Sequence, residues 1–153
     1  MNKHYRILFI LHLPPPVHGA AMMGEYIKGS QLINQAYDCN YINLAMASSI
    51  DNVGKISLQK FLSLFILLRT IRREVKERHP DLVYITPNAK GNAFFKEWII
   101  VKMLKRMGCR IVAHYHNKGV SSVQDKCVYN WLYKSFFKNL KILILADCLY
   151  NDI

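Results

Sequence analysis

The side chains best suited to chemistry in this chain are histidines, and four of them fall in two pairs. His114 and His116 stand two apart in the run CRIVAHYH. In an extended strand that spacing puts both on one face. Two imidazoles there could ligate a metal, but no third ligand is evident, since Asp125 falls on a helical stretch. Hydrogen-bonded histidines at a strand end are the plainer reading. Contact with a sugar or phosphate is the other, and it favours His116, which lies nearer the end of the run. His12 and His18 bracket a second stretch, HLPPPVHG; His12 reads as a packed polar residue and His18 as an exposed one. No Ser-His-Asp or Cys-His grouping can be defended from spacing. Glu25, Glu74, Glu77 and Glu97 all fall on helical stretches where a solvated role suffices, so no acid–base pair of carboxylates is visible.

The elements that must position these residues alternate. Residues 7–11 (ILFIL) form a short apolar run ended by Pro14, Pro15 and Pro16, which reads as a strand buried on both faces. Gly19 has backbone freedom and lets a ligand approach the main chain; residues 20–33 then have helical spacing. Residues 38–44 are a second strand, and 45–55 (AMASSIDNVGK) a loop. Ser57 is placed to cap a helix running to about residue 79. In it Leu58, Phe61, Leu62, Phe65, Leu68, Ile71 and Val75 form one apolar stripe for burial, and the cations of its last turns form a solvated face. Strands over 81–86, 109–116 and 141–146 alternate with helices over 91–107, capped by Gly108, and 122–139. A β-α-β-α-β-α-β-α-β order implies a Rossmann-like parallel sheet with helices on both faces, in one domain. The loops at 14–19, 87–91 and 116–119 all follow strands, so bare topology predicts one shared cleft. Neither G-x-G-x-x-G nor a P-loop motif occurs.

Composition narrows the partners. The 153 residues carry 21 Lys+Arg against 10 Asp+Glu, a formal charge of +11, which favours an anionic partner without choosing one. The four cysteines show no metal or C-x-x-C spacing and read as free thiols in a reducing compartment. No apolar run reaches the roughly 20 residues of a spanning helix, and the apolar run after Lys3 and Arg6 lacks a clean signal-peptide cleavage motif. Residues 126–141 (KCVYNWLYKSFFKNLK) set Lys126, Lys134 and Lys138 beside Trp131. That mixture suits an anionic bilayer surface, although a helix packing its aromatics on the sheet is the simpler reading. No nucleic-acid motif is present.

The stretches ILFILHLPPPVHGAAMM, HPDLVYIT, RIVAHYHN and ILILADCLYND together resemble the N-terminal half of family-4 retaining glycosyltransferases, over essentially all 153 residues. The resemblance implies one of two Rossmann-like domains of a GT-B enzyme, the half that mainly binds acceptor. A separate C-terminal half would bind the nucleotide-sugar and carry two glutamates. It implies metal-free transfer with retention to a glycan or lipid-linked acceptor, in polysaccharide biosynthesis in the cytoplasm or at the inner membrane face. Gly19 would approach the donor phosphates, His116 would touch the transferred sugar as the catalytic contact, and His18, Asn117 and Lys118 would line the cleft. Two positions depart from the pattern: His18 stands where many relatives have a first glycine, and Ala146 where a serine is common. Without a donor half the chain alone is expected to transfer no sugar at a useful rate. The alternative is a non-catalytic Rossmann-like module that binds an anionic ligand or partner.

Overall fold

The computed structural model describes residues 5–47 and 58–152. Ser57, expected as a helix cap, and most of the 45–55 loop lie outside the described residues. Five strands form one all-parallel sheet with helices around it, in the order β2-β1-β3-β4-β5: β1 is Arg6–Leu11, β2 Asp38–Asn43, β3 Leu82–Ile85, β4 Ile111–Tyr115 and β5 Lys141–Ile144. This is the α/β fold that the strand–helix alternation implies. The chain divides into two compact units, residues 1–83 and 84–153.

In the first unit β1 is buried from Ile7 to Leu11, as expected for an apolar run inside a parallel sheet. Each such side chain contributes about 2 kcal/mol on leaving water. β1 pairs with β2 from Arg6↔Asp38 to Leu11↔Asn43. The helix expected over 20–33 is two helices, α1 (Gly19–Gly29) and α2 (Gln31–Ala36). Ser30 divides them because its hydroxyl accepts from Ile33 N at 3.4 Å and caps the second.

The helix α3 (Leu58–Arg78) corrects the expected stripe. Leu67, Ile71 and Val75 face inward, but Phe61, Leu62 and Phe65 are 61%, 58% and 61% exposed. Residues 61–68 are almost all apolar, so spacing alone did not say which side faces the core. The inward side runs through Leu67, Ile71 and Val75, four residues apart, and it turns Phe61, Leu62 and Phe65 outward.

In the second unit α4 (Gly91–Arg106) and α5 (Cys127–Phe137) pack aromatic rings together. Phe94, fully buried, lies 4.7 Å from Tyr133 and 5.4 Å from Phe136, centroid to centroid. Gly108 follows α4 with φ +75°, so the expected cap glycine is needed there. Lys105 Nζ donates to the carbonyls of Ser135, Phe136 and Lys138 at 2.9, 2.6 and 2.6 Å. It thereby satisfies carbonyls that the end of α5 leaves open. The helix expected from 122 begins only at Cys127; residues 121–125 form turns. Just before these turns, Asp152, in a 3-10 stretch (Asp147–Asp152), accepts from the backbone N–H groups of Gly119, Val120 and Ser121.

Candidate functional site

The exit of β1, in the first unit, is built by side-chain caps. Asn43 Oδ1 accepts from Leu13 N at 3.1 Å and from Ala45 N at 2.8 Å, which fixes where the chain leaves the strand. His18 caps α1: its Nδ1 accepts from Ala21 N at 3.3 Å. One nitrogen of the expected substrate contact is therefore already used. The rings of His12 and His18 meet edge to face at 5.8 Å. Gly19 is exposed, with nothing within 4 Å of the place a Cβ would occupy, and its φ lies outside the left-handed region. The backbone freedom expected of it is not drawn upon. The glycine that matters here is Gly24, whose absent Cβ would overlap the His12 carbonyl. Beside this exit lies a cavity of about 500 Å³ lined by Pro14, Glu25, Lys28, Asn40, Asn43 and Glu74, among others. Asn40 Nδ2 donates to Glu74 Oε2 at 2.5 Å, and Arg78 Nε lies 3.5 Å from the same carboxylate oxygen.

The exit of β4 belongs to the second unit. His116 is the first residue past the strand, and its ring lies 4.1 Å from that of His114. The expected shared face is present. His114 is held from behind by a hydrogen bond between Nδ1 and the Tyr84 hydroxyl. Burial lowers the His114 pKa from its usual value, which disfavours the imidazolium, and burial pushes the Tyr84 hydroxyl up to about 12. Both shifts favour the uncharged forms of the pair. Among the described residues no group of three or more His, Cys, Asp or Glu is placed to hold a metal ion.

Asn117 is engaged within the protein. Its Oδ1 accepts from Ala89 N at 3.0 Å and its Nδ2 donates to Asn88 Oδ1 at 3.2 Å. Asn88 in turn donates to Glu97, from its backbone N at 2.5 Å and from Nδ2 at 2.8 Å. Glu97 is wholly buried, which corrects its expected solvated role. A carboxylate survives burial only when hydrogen-bonded; here it holds Asn88 in place, and Asn117 ties the loop after β4 to Asn88 and Ala89 in the loop after β3. Lys118 is exposed. Beyond it, Asp152 accepts from Gly119 N at 2.7 Å, Val120 N at 3.0 Å, Ser121 N at 3.3 Å and Ser121 Oγ at 2.6 Å.

Spacing missed Glu97, Asn88 and Asp152. For Glu97 a signal existed: Phe94, Glu97, Val101 and Leu104 follow three and four apart, so the glutamate sits within an apolar stripe. Glu97→Gln replaces one acceptor oxygen with a donor that faces an Asn88 N–H. The expected cost is about 2 kcal/mol, read as a lowered urea midpoint at unchanged slope; an unaltered midpoint would remove Glu97 from this role.

On α5, Leu132, Tyr133 and Phe136 are buried, as the sheet-packing reading expects, and Trp131, Lys126, Lys134 and Lys138 are exposed. No described helix is long and apolar enough to cross a membrane. Cys39, Cys109 and Cys127 are free thiols. No protein-family model, curated protein or solved structure matches the chain.

Proposed function

We propose that this chain is the acceptor-binding half of a retaining glycosyltransferase. It would act in the cytoplasm on a glycan or lipid-linked acceptor at the inner membrane face, with a nucleotide-sugar as donor. The observation that carries this reading is the position of His116. It stands one residue beyond the carboxyl end of β4 in an all-parallel sheet, where folds of this kind bind their ligands. The sequence resemblance supplies the reaction class. A hydrogen-bonded His114 behind His116 and a loop tied down by Asn88, Glu97 and Asn117 give this strand exit a fixed frame; both ring nitrogens of His116 are buried, so in this reading its ring turns outward to meet the sugar. In this reading His116 contacts the transferred sugar and Lys118, exposed beside it, meets negative charge on donor or acceptor. The cavity beside the β1 exit, with its amides and carboxylates, is suited to sugar hydroxyls.

The test is saturation-transfer NMR with short-chain polyprenyl diphosphate sugars and free oligosaccharides. One compound of the panel is expected to bind, with His116→Ala weakening it about tenfold through loss of a polar contact worth roughly 1.4 kcal/mol. Absence of binding across the panel, or binding indifferent to His116→Ala, refutes the assignment.

A further inference from the structure

The outward face of α3 changes character along its length. Its first half presents Phe61, Leu62, Phe65 and Ile66, exposed by 61%, 58%, 61% and 49%. Its second half presents Arg69, Arg72, Arg73 and Lys76, all exposed. At 100° per residue these eight side chains share one side of the helix, opposite the buried Leu67, Ile71 and Val75. Glu77 is on the flank of this side, 4.0 Å from Arg73.

We infer that this face of α3 docks the protein on an anionic bilayer. Four large apolar side chains held in water make an interaction surface. The four cations in the next turns of the helix identify the partner. An acyl boundary with phosphates above it takes aromatic and aliphatic groups at one depth and cations at a shallower one. A helix lying obliquely in the interface, with its Phe61 end lowered and its Lys76 end raised, satisfies both. A second copy of the same face fits worse: parallel pairing sets four cations against four cations, and antiparallel pairing gives the cations only weak cation–π contacts and no counter-charge. The exposed side of α5 also carries lysines and a tryptophan, but Trp131 is partly engaged, its ring centroid 5.7 Å from that of Trp98. The inference is independent of the transferase reading.

Flotation of the full chain with vesicles decides it, using phosphatidylcholine alone and phosphatidylcholine with about one third phosphatidylglycerol. The wild type should float with the anionic vesicles, lose most of that binding at high salt, and float poorly with the neutral ones. Phe61→Gln with Phe65→Gln should weaken binding about tenfold or more, and so should Arg69→Glu with Arg73→Glu, which leaves the apolar residues in place. Circular dichroism checks that each variant folds; all four positions are exposed. Binding that survives both variants, or that is lost only on Trp131→Gln with Lys134→Gln in α5, overturns the inference. So does a lipid-free dimer that the α3 variants dissolve.

Discussion

Asp152→Ala should lower stability by about 3 kcal/mol, a fall in Tm of roughly 6–12 °C for a chain of this size. The carboxylate is 3% exposed and accepts four hydrogen bonds from residues 119–121. Alanine would leave the N–H groups of Gly119 and Val120, both buried, without an acceptor, and each stranded donor costs about 1–3 kcal/mol. The pH dependence has a definite sign. Burial pushes this carboxyl up, but the Ser121 hydroxyl and the backbone N–H groups of Gly119, Val120 and Ser121 together outweigh it. The net result is a pKa below the usual 3.8. A depressed folded pKa gives stability that is complete above the unfolded value, near 3.9, and is lost as pH falls through the folded one. The gap in urea midpoint between wild type and Asp152→Asn should therefore hold from pH 7 to about 5 and narrow below 4. A gap that is constant down to pH 3 would mean that the charge contributes nothing.

Gly24→Val should be at least as damaging, about 3–4 kcal/mol. A Cβ at this buried helical position meets the backbone carbonyl of His12, with the carbonyl carbon at 3.2 Å and Leu13 Cδ2 at 3.3 Å. Backbone does not yield as a flexible side chain does, so α1 must move off the end of β1. The same shift would disturb the His18 cap and the β1 exit, and loss of helical circular dichroism at a lower temperature would report it. Gly19→Ala serves as the contrast: with open space around it, its melt should stay within about 0.5 kcal/mol of wild type. A normal melt for Gly24→Val would show that α1 does not need this close approach.

The sheet was legible because its strands are apolar runs with hard stops. ILFIL ends at prolines and KILILA follows a helix with no ambiguity of period, so only the ends differ by a residue or two. The division at Ser30 was within reach, since Gly29-Ser30 offers a stop and a cap in succession. The direction of α3 could have been found by carrying the cations at 69, 72, 73 and 76 backward by turns: they share the side of Phe61, Leu62 and Phe65, and charge chooses water over the core. The hold of Asp152 on residues 119–121 was beyond reach. It joins residues more than 30 apart, and nothing local in GVS or NDI announces it. At the candidate site, the shared face of His114 and His116 came from strand spacing, whereas the Glu97–Asn88–Asn117 relay joins two loops and a helix that no single period connects.

Among the described residues β5 lies at one border of the sheet, and its outward residues include Leu143, 48% exposed, followed by Leu145, 55% exposed. A border strand offers a row of amide and carbonyl groups to any extended peptide that arrives, and greasy side chains lengthen the visit. Crowding, rather than heat, would then govern how long a concentrated solution of this chain stays clear, and a lysine written at position 143 would keep strangers from adding themselves to the ladder.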